Sequence, residues 1–269
     1  MIYLDYQATT PLASEAREAM LRWLGDDDGF ANPSSAHKLG RAAAAAVEVA
    51  RDQVAALLPK GGRVFFTSGA TEALNWALLR GAEAMSGGVA GLSIEHAASL
   101  QCLERLNAHT LPVDAKGVAL SPDDALIPEN GIVAVMLVNN EVGTIQPVVD
   151  FAAAAHAKSS LLLCDAVQGF GRVAIPDGPD LIAISAHKIH GPKGIGFLYI
   201  NDKVKIKPIL FGGGQQNGMR SGTENVPGIA GMAKAIEIIY SGLDKDVERL
   251  YCMKEAFVRG IQELPDVTV

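Results

Sequence analysis

Lys188 lies between two polar residues, Ser185 and His187, and a turn built on Gly191-Pro192-Lys193-Gly194. A lysine amine becomes a nucleophile toward an aldehyde when burial or nearby positive charge lowers its pKa, and an aldehyde that carries phosphate also needs hydrogen-bond donors close by. Ser185 and His187 can supply those donors. The segment therefore fits a Schiff-base site, although the same letters also describe a solvated loop before a Gly-Pro turn. Upstream, Leu161-Leu162-Leu163-Cys164 reads as a buried apolar strand that ends in Asp165, with Gln168 on the following turn. In open α/β sheets ligands sit beyond the carboxyl ends of strands, which would bring Asp165 into the crevice.

An acid in that position suits pyridoxal phosphate, because a carboxylate keeps the pyridine nitrogen protonated and lets the ring take up electrons. Helix capping is the alternative role for Asp165. A third segment, Val64-Phe65-Phe66-Thr67-Ser68-Gly69-Ala70-Thr71-Glu72-Ala73, passes from a strand through a small-residue turn into a helical pattern. Free N–H groups from about Ala70 onward, the helix dipole and the Thr71 hydroxyl would favour a phosphate without any full positive charge. The same letters are also a glycine turn with a capping box, Ser68 or Thr71 with Glu72. No Gly-Lys-Ser or Gly-Lys-Thr follows, so the turn is not an ATP-binding loop of the Walker type.

The elements that must hold these residues alternate along the chain. Helical periodicity covers 14–24, 35–58, 70–85, 97–107 and 149–158, and apolar strands fall near Val64 and Leu92 and over 132–138, 161–164, 181–184 and 196–200. Such alternation predicts an α/β fold, a mainly parallel sheet covered by helices. Gly212-Gly213-Gly214 with Gln215 and Gln216 reads as a flexible turn, and after Gly242 the pattern becomes two charged helical stretches, 244–249 and 251–262.

Composition narrows the function further. At 269 residues the chain is long enough for a sizeable core, and its net charge of −7 is opposite in sign to the basic footprint that nucleic acids require. No run approaches the ~20 apolar residues of a membrane span, and the start Met-Ile-Tyr-Leu-Asp lacks a basic and apolar leader, so a cytoplasmic protein is expected. Three cysteines without a CxxC pair argue against a disulfide framework or zinc site. Cys102, Cys164 and Cys252 all read as structural, since unpaired cysteine usually behaves as a small buried hydrophobe. His187 and His190 are spaced like some metal ligands, but nothing completes a coordination sphere, and no metal is expected.

Taken in order, Tyr3-Leu4-Asp5-Tyr6-Gln7-Ala8-Thr9-Thr10-Pro11, Asn32-Pro33-Ser34-Ser35, Thr67-Ser68-Gly69-Ala70-Thr71-Glu72, Glu95-His96, Asn139-Asn140-Glu141-Val142-Gly143, Asp165-Ala166-Val167-Gln168, Ser185-Ala186-His187-Lys188 and Met219-Arg220-Ser221-Gly222-Thr223 resemble a known family. It is the cysteine desulfurases of the NifS and IscS kind, within the class V aminotransferase group of fold type I pyridoxal-phosphate enzymes. The resemblance implies a pyridoxal 5'-phosphate cofactor joined to Lys188, which also moves the substrate Cα proton. It pairs Asp165 with the pyridine nitrogen and Gln168 with the phenolic oxygen, and it stacks His96 on the ring as a second acid or base; alone, His96 would read as a capping or core histidine. It assigns the phosphate to Thr71, Ser185 and His187, with Thr223 contributed across a homodimer, places Ala70 among the cofactor-binding residues, and gives the substrate carboxylate to Asn140, otherwise an ordinary turn residue.

The implied reaction converts L-cysteine to L-alanine and passes sulfur, as an enzyme persulfide, to an acceptor for iron-sulfur cluster or thio-cofactor assembly. A selenocysteine lyase, an aminotransferase or a non-catalytic subunit on the same scaffold is the alternative. The implied domains are a large cofactor domain over 14–243 and an incomplete small α+β domain from 1–13 and 244–269. In the family the nucleophilic cysteine and a carboxylate-binding arginine belong to a C-terminal lobe, which this sequence does not reach, so neither is assigned. A partial chain is the expectation, with exposed apolar surface on its last helix. If the chain truly ends at Val269, poor solubility or compensating dimer contacts should follow, and a well-behaved monomer in light scattering would contradict this.

Overall fold

The computed structural model describes residues 2–25 and 29–267; Met1, Thr268 and Val269, the extremities of the expected small domain, lie outside that range. In chain order the elements are α1 (Ser14–Leu21), α2 (Lys38–Ala55), β1 (Gly62–Thr67), α3 (Ala70–Ala84), β2 (Val89–Leu92), α4 (Ala97–Arg105), β3 (His109–Leu111), β4 (Ile132–Met136), α5 (Val148–Ala157), β5 (Leu161–Asp165), β6 (Leu181–Ser185), β7 (Gly196–Asn201) and α6 (Val226–Gln262). The strands form one seven-stranded sheet in the order β1-β7-β6-β5-β4-β2-β3.

Alternation within each strand explains why the central strands are apolar throughout. Val133 and Val135 of β4 join the core that α2, α5 and the first turns of α6 cover, while Ile132 and Ala134 join a second core beneath α3 and α4. A strand buried on both faces needs no polar alternation. The second core is centred on Trp76, whose indole N–H donates to the Lys207 carbonyl at 2.8 Å. The outcome is the expected α/β sandwich.

Sheet direction decides where the functional segments meet. Strands β2, β4, β5 and β6 run parallel, β7 is antiparallel to β6, and β1 is antiparallel to β7. The carboxyl ends of β1, β2, β4, β5 and β6 therefore share one edge, and Ser185 pairs with Gly196, which in turn pairs with Thr67. At Gly196 a Cβ would meet the Ile184 carbonyl and come within 2.8 Å of the Gly69 Cα.

Two elements differ from the sequence expectation. Strand β3 has no apolar run, since His109 and Thr110 are exposed; only its pairing with β2 makes it a strand. The stretches 244–249 and 251–262 belong to one 37-residue helix that begins at Val226 and continues through Gly242. Asn225 caps that helix by accepting the Gly228 N–H at 3.0 Å, with a proline in the first turn, a signal legible in Asn225-Val226-Pro227. Its buried residues lie between Val226 and Ile236, whereas Val247, Leu250, Tyr251, Met253 and Phe257 are exposed.

Gly196→Ala should lower unfolding free energy by about 1–3 kcal/mol, the usual cost of overpacking, because the clash falls on backbone atoms. Denaturant titration checks this, and unchanged stability would mean the β6, β7 and β1 ends are looser than their pairing implies.

Candidate active site

At the shared carboxyl edge lies a cavity of ≈ 580 Å³, lined among others by Ala70, Thr71, His96, Asn140, Asp165, Gln168, Ser185, His187 and Lys188. Nine of the ten expected site residues thus come together. Thr223 does not: it is exposed and lines a separate pocket with Arg220 and Gln216.

The turn into α3 is open to an anion. Gly69, at φ 149°, offers no side-chain cap, and among the described residues no acceptor meets the N–H groups of Ala70, Thr71 and Glu72. A helix start leaves such donors free. The buried Ser185 hydroxyl also has no partner among the described residues and lies 3.7 Å from where a Cβ on Gly69 would sit. The nearest acid is already engaged. Glu72 accepts both ends of the Arg220 guanidinium, at 2.8 and 3.0 Å, and the Ser68 N–H at 2.8 Å. Burial pushes its carboxyl up, but these hydrogen bonds win and hold it below the usual range.

Asp165, also lining the cavity, is buried, with Oδ1 accepting the Val167 N–H at 3.0 Å. Burial raises its pKa, and the Val167 N–H, His96 and Lys188 oppose that shift. The Lys188 amine donates to the Gln7 carbonyl, which also accepts the Gln168 amide at 2.9 Å. Burial and the Arg172 cation make Lys188 less basic, against the pull of Asp165, Asp5 and Glu141. His96 caps α4 by accepting the Ala98 N–H on Nδ1 at 3.1 Å, which leaves Nε2 for the cavity it lines. Capping and cofactor contact are therefore compatible roles. The Asn140 amide is engaged by Glu141 at 2.8 Å.

Several residues escaped the sequence reading. Arg172 donates to the backbone carbonyls of Lys188, at 2.8 Å, and Gln168, at 3.1 Å, so one guanidinium sets the spacing of both segments. Asn139 clamps the loop after β4, accepting the Glu141 and Val142 N–H groups, both at 2.9 Å, while donating to Ile94. Glu95, beside His96, is fully buried; burial and the Asp165 charge push its carboxyl up to about 8, and it accepts the Met136 N–H at 2.5 Å. Its other oxygen has no partner among the described residues. Gln216 is buried rather than part of a loose turn: its amide bonds the N–H and the carbonyl of Phe66, both at 2.7 Å.

Cys102 and Cys164 are buried, with thiols pushed up by burial, but Cys252 is exposed on α6, which corrects its reading as a buried hydrophobe. None of the three lines the cavity. Among the described residues no helix is long and apolar enough to cross a membrane, and no group of His, Cys, Asp and Glu is arranged to hold a metal ion.

The donors around Ala70, Thr71 and Ser185 and the buried Asp165 carboxylate in the same cavity fit the two ends of pyridoxal phosphate. Comparison with known proteins agrees. The class-V aminotransferase family model matches residues 2–269. Cysteine desulfurase IscS of Dictyoglomus turgidum is 42% identical over 277 residues, covering 97% of this chain and 70% of that protein. A solved NifS-like protein superposes with a TM-score of 0.91 at 36% identity, over 98% of this chain and 76% of the other. A structure described as SspA in complex with cysteine gives 0.79 at 33% identity, over 88% and 72%.

Glu95 offers a pH test. Its folded pKa lies above the ordinary 4.5, so its stabilising proton is fully present below that value and is lost as pH rises through about 8. Over that window the group should remove up to ~1.4 kcal/mol of stability per pH unit. Glu95→Gln keeps an oxygen for the Met136 N–H and should flatten the decline; denaturant curves at several pH values that stay parallel for both proteins would show that Glu95 is ionised when folded.

Proposed function

The chain belongs to the class-V aminotransferase family, whose cysteine desulfurase members depend on pyridoxal 5'-phosphate, and we propose that it converts L-cysteine to L-alanine while its sulfur passes to a thiol as a persulfide. The observation that carries this reading is the convergence of Lys188, Asp165, His96, Gln168 and the α3 donors on one cavity. The cysteine bound in the SspA structure supports the substrate class. Delivery to iron-sulfur cluster or thio-cofactor assembly extends the reading, in keeping with the IscS relatives.

Ala70, Thr71, Ser185 and His187 would hold the phosphate through neutral donors. Asp165 would hold the proton on the pyridine nitrogen, and Gln168 would donate to the phenolic oxygen. The bound cofactor supplies an electron sink for the pair released at the substrate Cα. Lys188 would hold the cofactor and, once the substrate amine has displaced its Nζ, would take the Cα proton on that nitrogen. Burial and Arg172 lower its affinity for a resident proton, the direction a proton acceptor needs. His96, whose Nδ1 is held by the Ala98 N–H, presents Nε2 as a second proton carrier. Asn140 would exchange Glu141 for the substrate carboxylate.

The functional unit in this reading is a homodimer. Thr223 would complete the phosphate site of a second copy, which suits its exposure and its absence from the lining of the Lys188 cavity. A large domain over 14–243 and a smaller unit from 1–13 and 244–269 would then follow, with α6 passing between them. Two unpaired buried thiols, Cys102 and Cys164, support the cytoplasm as its compartment.

Protein loaded with pyridoxal phosphate and given L-cysteine and a thiol reductant should release alanine, and Lys188→Ala should cut the rate at least ~100-fold. A keto acid as product would replace desulfuration by transamination, and no product from cofactor-loaded protein would remove the enzymatic reading for this chain.

A further inference from the structure

The segment before α1 is fastened to the lysine loop by residues that cross most of the chain. Thr10 donates its N–H, at 2.8 Å, and its hydroxyl, at 2.9 Å, to the His187 carbonyl, and its oxygen accepts the His190 N–H at 2.7 Å. The Ala13 N–H donates to the His190 carbonyl at 2.9 Å. This register fixes the neighbouring Thr9, whose Oγ1 lies 3.1 Å from His187 Nδ1 and has no other partner among the described residues. Both side chains line the cavity.

Imidazole has two nitrogens, and the partner of one decides what the other can do. A neutral ring that meets an anion must present an N–H, so its second nitrogen must accept. We propose that Thr9 is a positioning residue: its hydroxyl donates to His187 Nδ1 and so holds the ring as the Nε2–H tautomer, with that N–H as the donor to the phosphate of the cofactor. The inference rests on the reading of His187 as a phosphate ligand. Burial, Lys188 and Lys193 all lower the His187 pKa, in keeping with a neutral ring that needs such a partner. Thr10, with its hydroxyl already committed in both directions, cannot replace it.

The test compares dissociation constants, by absorbance titration, for pyridoxal phosphate and for pyridoxal, which lacks the phosphate. Thr9→Val leaves Nδ1 without a donor and should weaken pyridoxal phosphate about 5- to 20-fold while leaving pyridoxal unchanged. Thr9→Ser should restore the wild-type value, which a purely steric role would not require. Thr9→Val that binds pyridoxal phosphate normally, or that loses both ligands equally, overturns the proposal; in the second case Thr9 only fastens the segment. His187→Gln separates the levels. If it weakens pyridoxal phosphate where Thr9→Val does not, the proposal alone fails, and if it weakens neither ligand, the phosphate role of His187 fails with it. Should Thr9→Val not fold, Thr9→Ala and Thr9→Ser carry the same comparison.

Discussion

The hydrogen-bonded row Ser185, Gly196, Thr67 is the constraint on which the site depends. Because β7 runs against both of its neighbours, one backbone edge gathers the ends of strands that are far apart in sequence. The lysine loop after β6 and the anion-binding turn after β1 are brought side by side with only a glycine between them. The room that Gly196 leaves is what allows Gly69 to approach Ile184 and Ser185. Asp165 reaches the same edge from the adjacent parallel strand, so three segments need no adjustable loop to meet.

Charge around that edge is managed by exclusion. Two buried acids, Glu95 and Asp165, interact unfavourably when both are ionised, so their protons are coupled, and Glu95 is the one held in the acid form near neutrality. On the cationic side Arg172 occupies backbone carbonyls rather than carboxylates, which leaves its charge to act on Lys188. Beside the anion turn Arg220 is spent on Glu72, while Lys193 lines the same cavity. A dianionic ligand there would be met chiefly by dipoles and neutral donors, with the Lys193 charge on the same cavity.

What was legible in the sequence was local. Asp165, Thr71 and Lys188 each sit where a short apolar strand turns into a polar loop, and strand, turn and side chain are read from a handful of consecutive letters. The contacts that set their chemistry are not of that kind: Thr9 meets His187 across 178 residues, and Lys188 meets the Gln7 carbonyl across 181. A backbone acceptor has no residue type to recognise, and Arg172 looked like any surface arginine because its partners are also main-chain oxygens. Strand β3 and the start of α6 were missed for different reasons. One is made by pairing alone, while the other carries its signal in Asn225 and Pro227, well ahead of the charged stretches that continue the same helix.

The amide of Gln216 has an effect away from the cavity. Strand β1 is the outer strand of the sheet, and an outer strand offers unpaired N–H and carbonyl groups to any other extended chain. Here three of those groups are occupied from within: Gln216 takes both polar atoms of Phe66, and Arg51 donates to the Val64 carbonyl at 2.5 Å. Side chains thus play the part of a missing eighth strand, ending the ladder on this side without a proline or a bulge. A glutamine that reads as part of a flexible turn closes two of the open valences of an outer strand.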